Sequence, residues 1–284
     1  MQYAELDLFC PPADNTASYV LQGGKMTKKS KHSINWTNSV FLILTPLVAV
    51  VGTTLLLVFG LVHWPTWILF VGMLAATGFS VTAGYHRLFA HKTYEANRWV
   101  KLFFVLFGAA AFEGSVLEWS TDHRHHHRYT DTERDPYDIQ KGFWFAHVGW
   151  LLRLDTRDRK FDNIEDLKKS KLFRFQHRWF EMIAILMGFG LPTAIASLWG
   201  DPLSGLIIAG FLRIVIVHHG TFCINSLCHL IGKRPYSKRQ SARDSWISAL
   251  FTFGEGYHNF HHQFPLDYRN GIRYWQYDPT KWLI

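Results

Sequence analysis

From His32 to His86 the chain carries no Asp, Glu, Lys or Arg; the charge-free run starts after Lys31 and stops at Arg87. A helix needs roughly 20 apolar residues to cross a hydrocarbon slab, so this run is long enough for two crossings. Trp64-Pro65-Thr66 lies within it, and proline disfavours continuation of a preceding helix. The expectation is one span near Val40–Val62 and a second near Thr66–Tyr85. Further on, Ile183–Trp199 and Leu203–Phe222 form another apolar pair around the turn signal Gly200-Asp201-Pro202. Lys101–Leu117 is apolar too, but Glu113, Gly108 and Gly114 interrupt it, so it reads as a buried or re-entrant hairpin rather than a crossing.

Residues 1–31 are a polar leader, consistent with disorder, and residues 32–284 read as one membrane domain. No short apolar core precedes a cleavage-type site in the leader, which argues against a signal peptide. Met26, directly before Thr27-Lys28-Lys29, is a second candidate start. Of the 30 basic residues, 29 fall before the first span, between His86 and Lys101, from Arg124 to Arg178, or from Lys233 onward, and the two hairpin tips carry none. The positive-inside rule then puts both termini and the large loops in the cytoplasm, across a bacterial inner membrane or, in a eukaryote, the endoplasmic reticulum. The net charge of +8 is a topology and lipid-surface signal rather than a nucleic-acid one. Cys10, Cys223 and Cys228 form neither a disulfide framework nor a CxxC pair, which disfavours thiol redox chemistry and a resident iron–sulfur cluster.

Ten of the 16 histidines are clustered at the expected cytoplasmic ends of the apolar runs. The groups are His86-Arg87-Leu88-Phe89-Ala90-His91, Asp122-His123-Arg124-His125-His126-His127, Asn225-Ser226-Leu227-Cys228-His229 and Gly254-Glu255-Gly256-Tyr257-His258-Asn259-Phe260-His261-His262. Helical positions i, i+3 and i+4 share a face. His123, His126 and His127 therefore align, as do His258, His261 and His262, and Asn225 aligns with His229. His125 points away. His86 and His91 lie about 140° apart on a straight helix, so either the helix ends between them or they address different metals, and the second is the expectation. Nine imidazoles without a thiolate or a dense carboxylate set suit Fe, Zn, Cu or Ni rather than Mg or Ca, and exceed what one ion accepts. At least two metals follow. The fold class expected is all-α integral membrane: four transmembrane helices under a cytoplasmic helical cap that holds a His-rich di-metal site.

HRLFAH, DHRHHH and GEGYHNFHH resemble the histidine boxes of membrane fatty acyl desaturases, most closely the stearoyl-CoA (Δ9) type. The resemblance runs from about Ile68 to the C-terminus and takes in the Asn225…His229 box and FWFAHVGWLL at 143–152. It implies two non-haem irons on His86, His91, His123, His126, His127, His229, His258, His261 and His262, with Asn225 holding a metal-bound water. It also implies O2 as co-substrate and a cis double bond placed in a long saturated acyl chain. No side chain can oxidise an unactivated methylene pair, so the cofactor must, while the protein supplies ligation and orientation. Asp122, Glu118 and Glu255 adjoin the boxes and are candidate carboxylate partners for ligating imidazoles. His147 reads as structural support and His177 as surface.

The resemblance places Trp119 and Thr221 beside the bend of an acyl tunnel. Leu74 and Gly78, one turn apart, are candidates for its closed end, against plain helix packing; Leu74→Trp would then shorten the longest chain accepted. Thr121 stands where animal relatives put an Arg, and Arg153-Leu154-Asp155 where they put a basic pair. Acyl-CoA, acyl carrier protein and intact lipid therefore all stay open as carriers. Arg213, inside the fourth apolar run, needs a partner or a route to the interface, and Glu113 is the acid expected to pair with it. No haem domain is expected to be fused, so electrons would come from a separate ferredoxin, rubredoxin or cytochrome b5, suited to the basic surface. A hydroxylase of the same superfamily is the nearest rival. A metal transporter would need ligands within the spans, where only His63 and His218/His219 stand near the ends.

Overall fold

The computed structural model describes residues 19–22, 25–28, 33–154 and 161–284. Of the polar leader, only an antiparallel hairpin of Tyr19–Gln22 with Lys25–Lys28 is described; the rest of it lies outside the described residues, as does Asp155. All other named elements are helical. Four helices are long and apolar enough to cross a membrane: α1 (Trp36–Val58), α2 (Trp64–Ala90), α6 (Phe180–Ser197) and α7 (Pro202–Leu230). Between and after them lie α3 (Arg98–Ala109), α4 (Val116–Tyr129), α5 (Lys171–Arg178), α8 (Trp246–Phe251), α9 (His258–Gln263) and α10 (Pro279–Leu283). The chain is thus a multi-pass, all-helical membrane protein.

Helix ends follow local chemistry. Asn35 caps α1 by accepting the Asn38 N–H at 3.1 Å. α1 stops at Val58, four residues before the apolar run does. Gly60 takes φ +63, and the Leu61 N–H turns back to the Leu56 carbonyl at 2.9 Å. α2 then opens with Pro65 in its first turn. The tip between α1 and α2 is tied to the tip between α6 and α7. Asp201 Oδ2 accepts the His63 N–H (3.1 Å) and the Thr66 hydroxyl (2.6 Å), and the Trp199 indole donates to Thr66 Oγ1 (3.1 Å).

α2 outruns the expected end at Tyr85. It is α-helical to Phe79 and continues as a π-helix through Ser80–Ala90. Here Gly84 faces the Phe104 ring so closely that a Cβ would collide with it, which lets α3 lie against α2. α3 is no fifth span among the described residues. It ends before two left-handed positions, Phe112 and Gly114, and Ser115 then starts α4 in a capping box with Glu118.

Arg213 does not pair with Glu113, and it does not snorkel. It is fully buried, and its guanidinium donates to the carbonyls of Ala209 (3.2 Å), Ala110 (2.7 Å) and Gly188 (2.9 Å) and to Thr77 Oγ1 (3.3 Å). Ala209 and Gly188 lie in the π-helical stretches Gly205–Leu212 and Leu186–Gly190, where the shifted register frees carbonyls for a side-chain donor. Glu113 instead accepts from the Trp119 indole at 3.3 Å. Glu113→Gln, which keeps an oxygen to accept the indole N–H, is therefore expected to cost well under the roughly 3–5 kcal/mol of a broken buried ion pair. A thermal shift of many degrees in detergent would restore the ion pair.

Candidate metal centre

The four histidine boxes converge. His86, His91, His123, His127 and His261 form one group and His126, His229, His258 and His262 a second; within each, one ligand atom per residue lies within 4.8 Å of the others. The HxxHH faces of α4 and α9 meet as helical periodicity requires. Alternate rings of each box then serve both groups. His86 and His91, expected on different metals, fall in the same group. The π-turn explains the difference: the His91 N–H bonds the His86 carbonyl, five residues back, at 3.0 Å, so residues five apart return to nearly one face.

Nε2 is the inward atom throughout. The Nε2 atoms of His86 and His261 are 3.0 Å apart, of His91 and His123 2.7 Å, of His261 and His127 2.9 Å, of His258 and His262 3.0 Å and of His126 and His262 3.3 Å. Three rings are held from behind. His86 Nδ1 sits 3.0 Å from Glu255 Oε2, His126 Nδ1 2.8 Å from Asp135 Oδ1, and His229 Nδ1 2.6 Å from Ser241 Oγ. A carboxylate only accepts, so the Nδ1 of His86 and His126 must carry the proton and their Nε2 is a bare lone pair. His229 Nε2 is buried without any partner. Bare nitrogens packed tip to tip are repulsive unless a cation sits among them, and this donor set fits two transition-metal ions.

Electrostatics agree. Burial, and then the neighbouring imidazoles, hold His91, His123, His127, His258, His261 and His262 well below the ordinary value of 6.5. These rings are neutral, as ligands must be. Burial alone would raise the Glu255 carboxyl, but Arg87 and His86 override it and hold it at about 2. The metal-free fold therefore binds fewer protons than the unfolded chain, so its stability is present above pH 6.5 and lost as pH falls. The melting temperature of metal-free protein should fall as pH is lowered below about 6.5, and that of loaded protein at least as steeply, because bound metal also keeps the rings unprotonated. A flat metal-free profile would contradict the buried neutral rings.

The fatty acid desaturase family model matches residues 62–284. The chain belongs to the fatty acid desaturase family. It is 45% identical over 259 residues to a probable acyl-CoA desaturase of Schizosaccharomyces pombe and 45% identical over 257 residues to acyl-CoA desaturase 1 of Saccharomyces cerevisiae. Each match covers 88% of this chain but only 52% and 49% of the relative, so the chain spans about half the length of these two yeast proteins. Stearoyl-CoA desaturase of Homo sapiens is 36% identical over 256 residues, covering 88% of this chain and 70% of the relative.

In this desaturase-family fold a cavity of about 310 Å³ opens onto both histidine groups. Its walls include His86 and His123 of one group, His126 and His258 of the other, and Asn225; the remainder mixes apolar side chains such as Phe41, Leu42, Val81, Phe112, Trp150 and Phe222 with the carboxylates of Glu113, Glu118, Asp122, Glu181 and Glu255. Trp119 and Thr221 both line it, and the Trp119 ring stacks on His123 with centroids 4.8 Å apart. Leu74 and Gly78 do not line it. Leu74 packs beside Val81, Ala111 and Val217, while Gly78 lies under the Phe253 ring in a small neighbouring pocket.

Of the three acids beside the boxes, Glu255 holds His86. Asp122 is buried on the cavity wall. Glu118 turns instead to the Ser115 cap, 3.9 Å from His177 Nδ1, because the first turn of α4 claims it. His177, half exposed, bonds Ser115 Oγ at 2.7 Å. His147 bridges Ser226 Oγ (2.9 Å) and His219 Nδ1 (3.0 Å), a structural link. His125 meets Tyr129 outside both groups. Asp135 and Ser241 escaped sequence reasoning. Each sits in a loop, 9 residues from His126 and 12 from His229, with no periodicity to point at them.

Proposed function

We propose that the chain is a di-iron, O2-dependent fatty acyl-CoA desaturase that introduces a cis double bond at Δ9 of a long saturated chain. One observation carries this reading: a cavity, lined in part by aromatic and aliphatic side chains, whose wall contains imidazoles from both histidine groups. The yeast and human relatives, named as acyl-CoA and stearoyl-CoA desaturases, support acyl-CoA as the carrier. Two irons bound by the nine histidines would supply the oxidising power that no side chain has, with O2, two electrons and two protons consumed and two waters formed per double bond.

The chain's own residues do the rest. The apolar side chains of the wall exclude water and bury the acyl chain, whose methylenes gain about 0.8 kcal/mol each from burial. Trp119, stacked on His123, forms part of the wall that also carries Thr221, beside the metals, and so fixes which carbon pair faces them. Asn225, on the wall, would hold a metal-bound water. Residues 1–31 would be a leader outside the membrane domain 32–284. Both termini would be cytoplasmic, where the basic segments suit a separate acidic electron donor.

Gathering the histidines at one end of the spans, rather than along a path through them, favours an enzyme over a transporter. The test is lipid profiling of a desaturase-deficient host expressing this chain. Cis-Δ9 monounsaturated acyl chains are expected. Hydroxylated chains would convert the reading to a hydroxylase, and unchanged lipids despite iron-loaded protein would overturn both.

A further inference from the structure

We propose that Asp131 is a positioning residue which, through the Ser241 hydroxyl, sets His229 and thereby controls one metal position separately from the other. The inference rests on the reading above that both histidine groups hold iron.

The proton directions are fixed by chemistry. Asp131 Oδ2 accepts the Ser241 backbone N–H at 2.6 Å, and Oδ1 accepts the Ser241 hydroxyl. A hydroxyl has one proton, and Asp131 takes it. Ser241 Oγ must then accept from His229 Nδ1–H, 2.6 Å away. That leaves His229 Nε2 as the bare lone pair, and this atom is the buried, unpartnered one at the second group. Without Asp131, Ser241 could donate to His229 Nδ1, which would place the imidazole proton on Nε2 and block it as a ligand. The carboxylate therefore selects the tautomer at one remove.

Asp131 reaches Ser241 because it follows the end of α4 at φ +62, a left-handed conformation that Asp tolerates. Its own N–H donates to Asp135 Oδ2 at 3.1 Å, while Asp135 Oδ1 accepts from His126. One short loop thus orients two of the four rings of the second group. The first group is supported elsewhere, at His86 by Glu255. A disturbance at Asp131 should consequently reach one ion only.

Removing an outer partner of a ligating imidazole typically weakens metal binding about 10–100-fold. The experiment uses the full chain purified in detergent and loaded with iron, reading iron per chain and its release to a chelator. Wild type should hold about two irons, as one ion per histidine group requires. Ser241→Val should retain one at the wild-type release rate and lose the other about 10–100-fold faster. Ser241→Thr, which keeps the hydroxyl, should behave as wild type. Asp131→Ala should copy Ser241→Val, and the double variant should be no worse than either, because both act on one path. Two irons released at wild-type rates from folded Ser241→Val, or both lost together, would overturn the inference while leaving the di-iron reading intact. A wild-type chain that takes up no iron would overturn that reading and this one with it.

Discussion

His261→Ala should abolish double-bond formation and lower iron content. The His261 ring is buried, and its Nε2 lies 3.0 Å from His86 Nε2 and 2.9 Å from His127 Nε2. It is the one ring of the first group contributed by the C-terminal box. Its loss leaves a methyl where a ligand stood, and no acid or thiol of that group can replace it. Lipid profiling of a deficient host and elemental analysis of the purified variant check both halves. Unsaturated product at a rate comparable with wild type would remove His261 from the metal site.

Arg87→Met should be the most destabilising single change at the site. The guanidinium is 1% exposed and bonds Glu255 Oε1 at 2.9 and 3.2 Å, Asp278 at 2.9 and 3.2 Å, and the Tyr268 carbonyl at 2.6 Å. Removing it strands two buried carboxylates, and breaking a buried pair from one side costs about 3–5 kcal/mol. The expected readout is a lower unfolding midpoint in detergent for protein without metal. Adding Glu255→Gln and Asp278→Asn should recover part of the loss, because the uncompensated charges go. A variant as stable as wild type would mean that water reaches the network.

Regular periodicity was readable and departures from it were not. The HxxHH faces sit on α-helices and align as 100° per residue demands, and the charge-free run did hold two spans. The helix ends at Ala90, between His86 and His91, and its last turns are π-helical, so the expectation of different metals fails; a π-turn carries no sequence mark. The same blindness assigned Arg213 an acid: the carbonyls it uses at Gly188 and Ala209 are freed by π-helical register shifts. Asp131, Asp135 and Ser241 meet their histidines through loops, where spacing along the chain says nothing about direction in space.

Each histidine group joins rings from α4 to rings from the last box, and Arg87 reaches forward to Glu255 and Asp278. All four spans precede residue 258 in the chain. On the di-iron reading proposed above, neither site is complete until synthesis has passed His262, so a chain stalled short of that box would keep its spans and lack both metal sites.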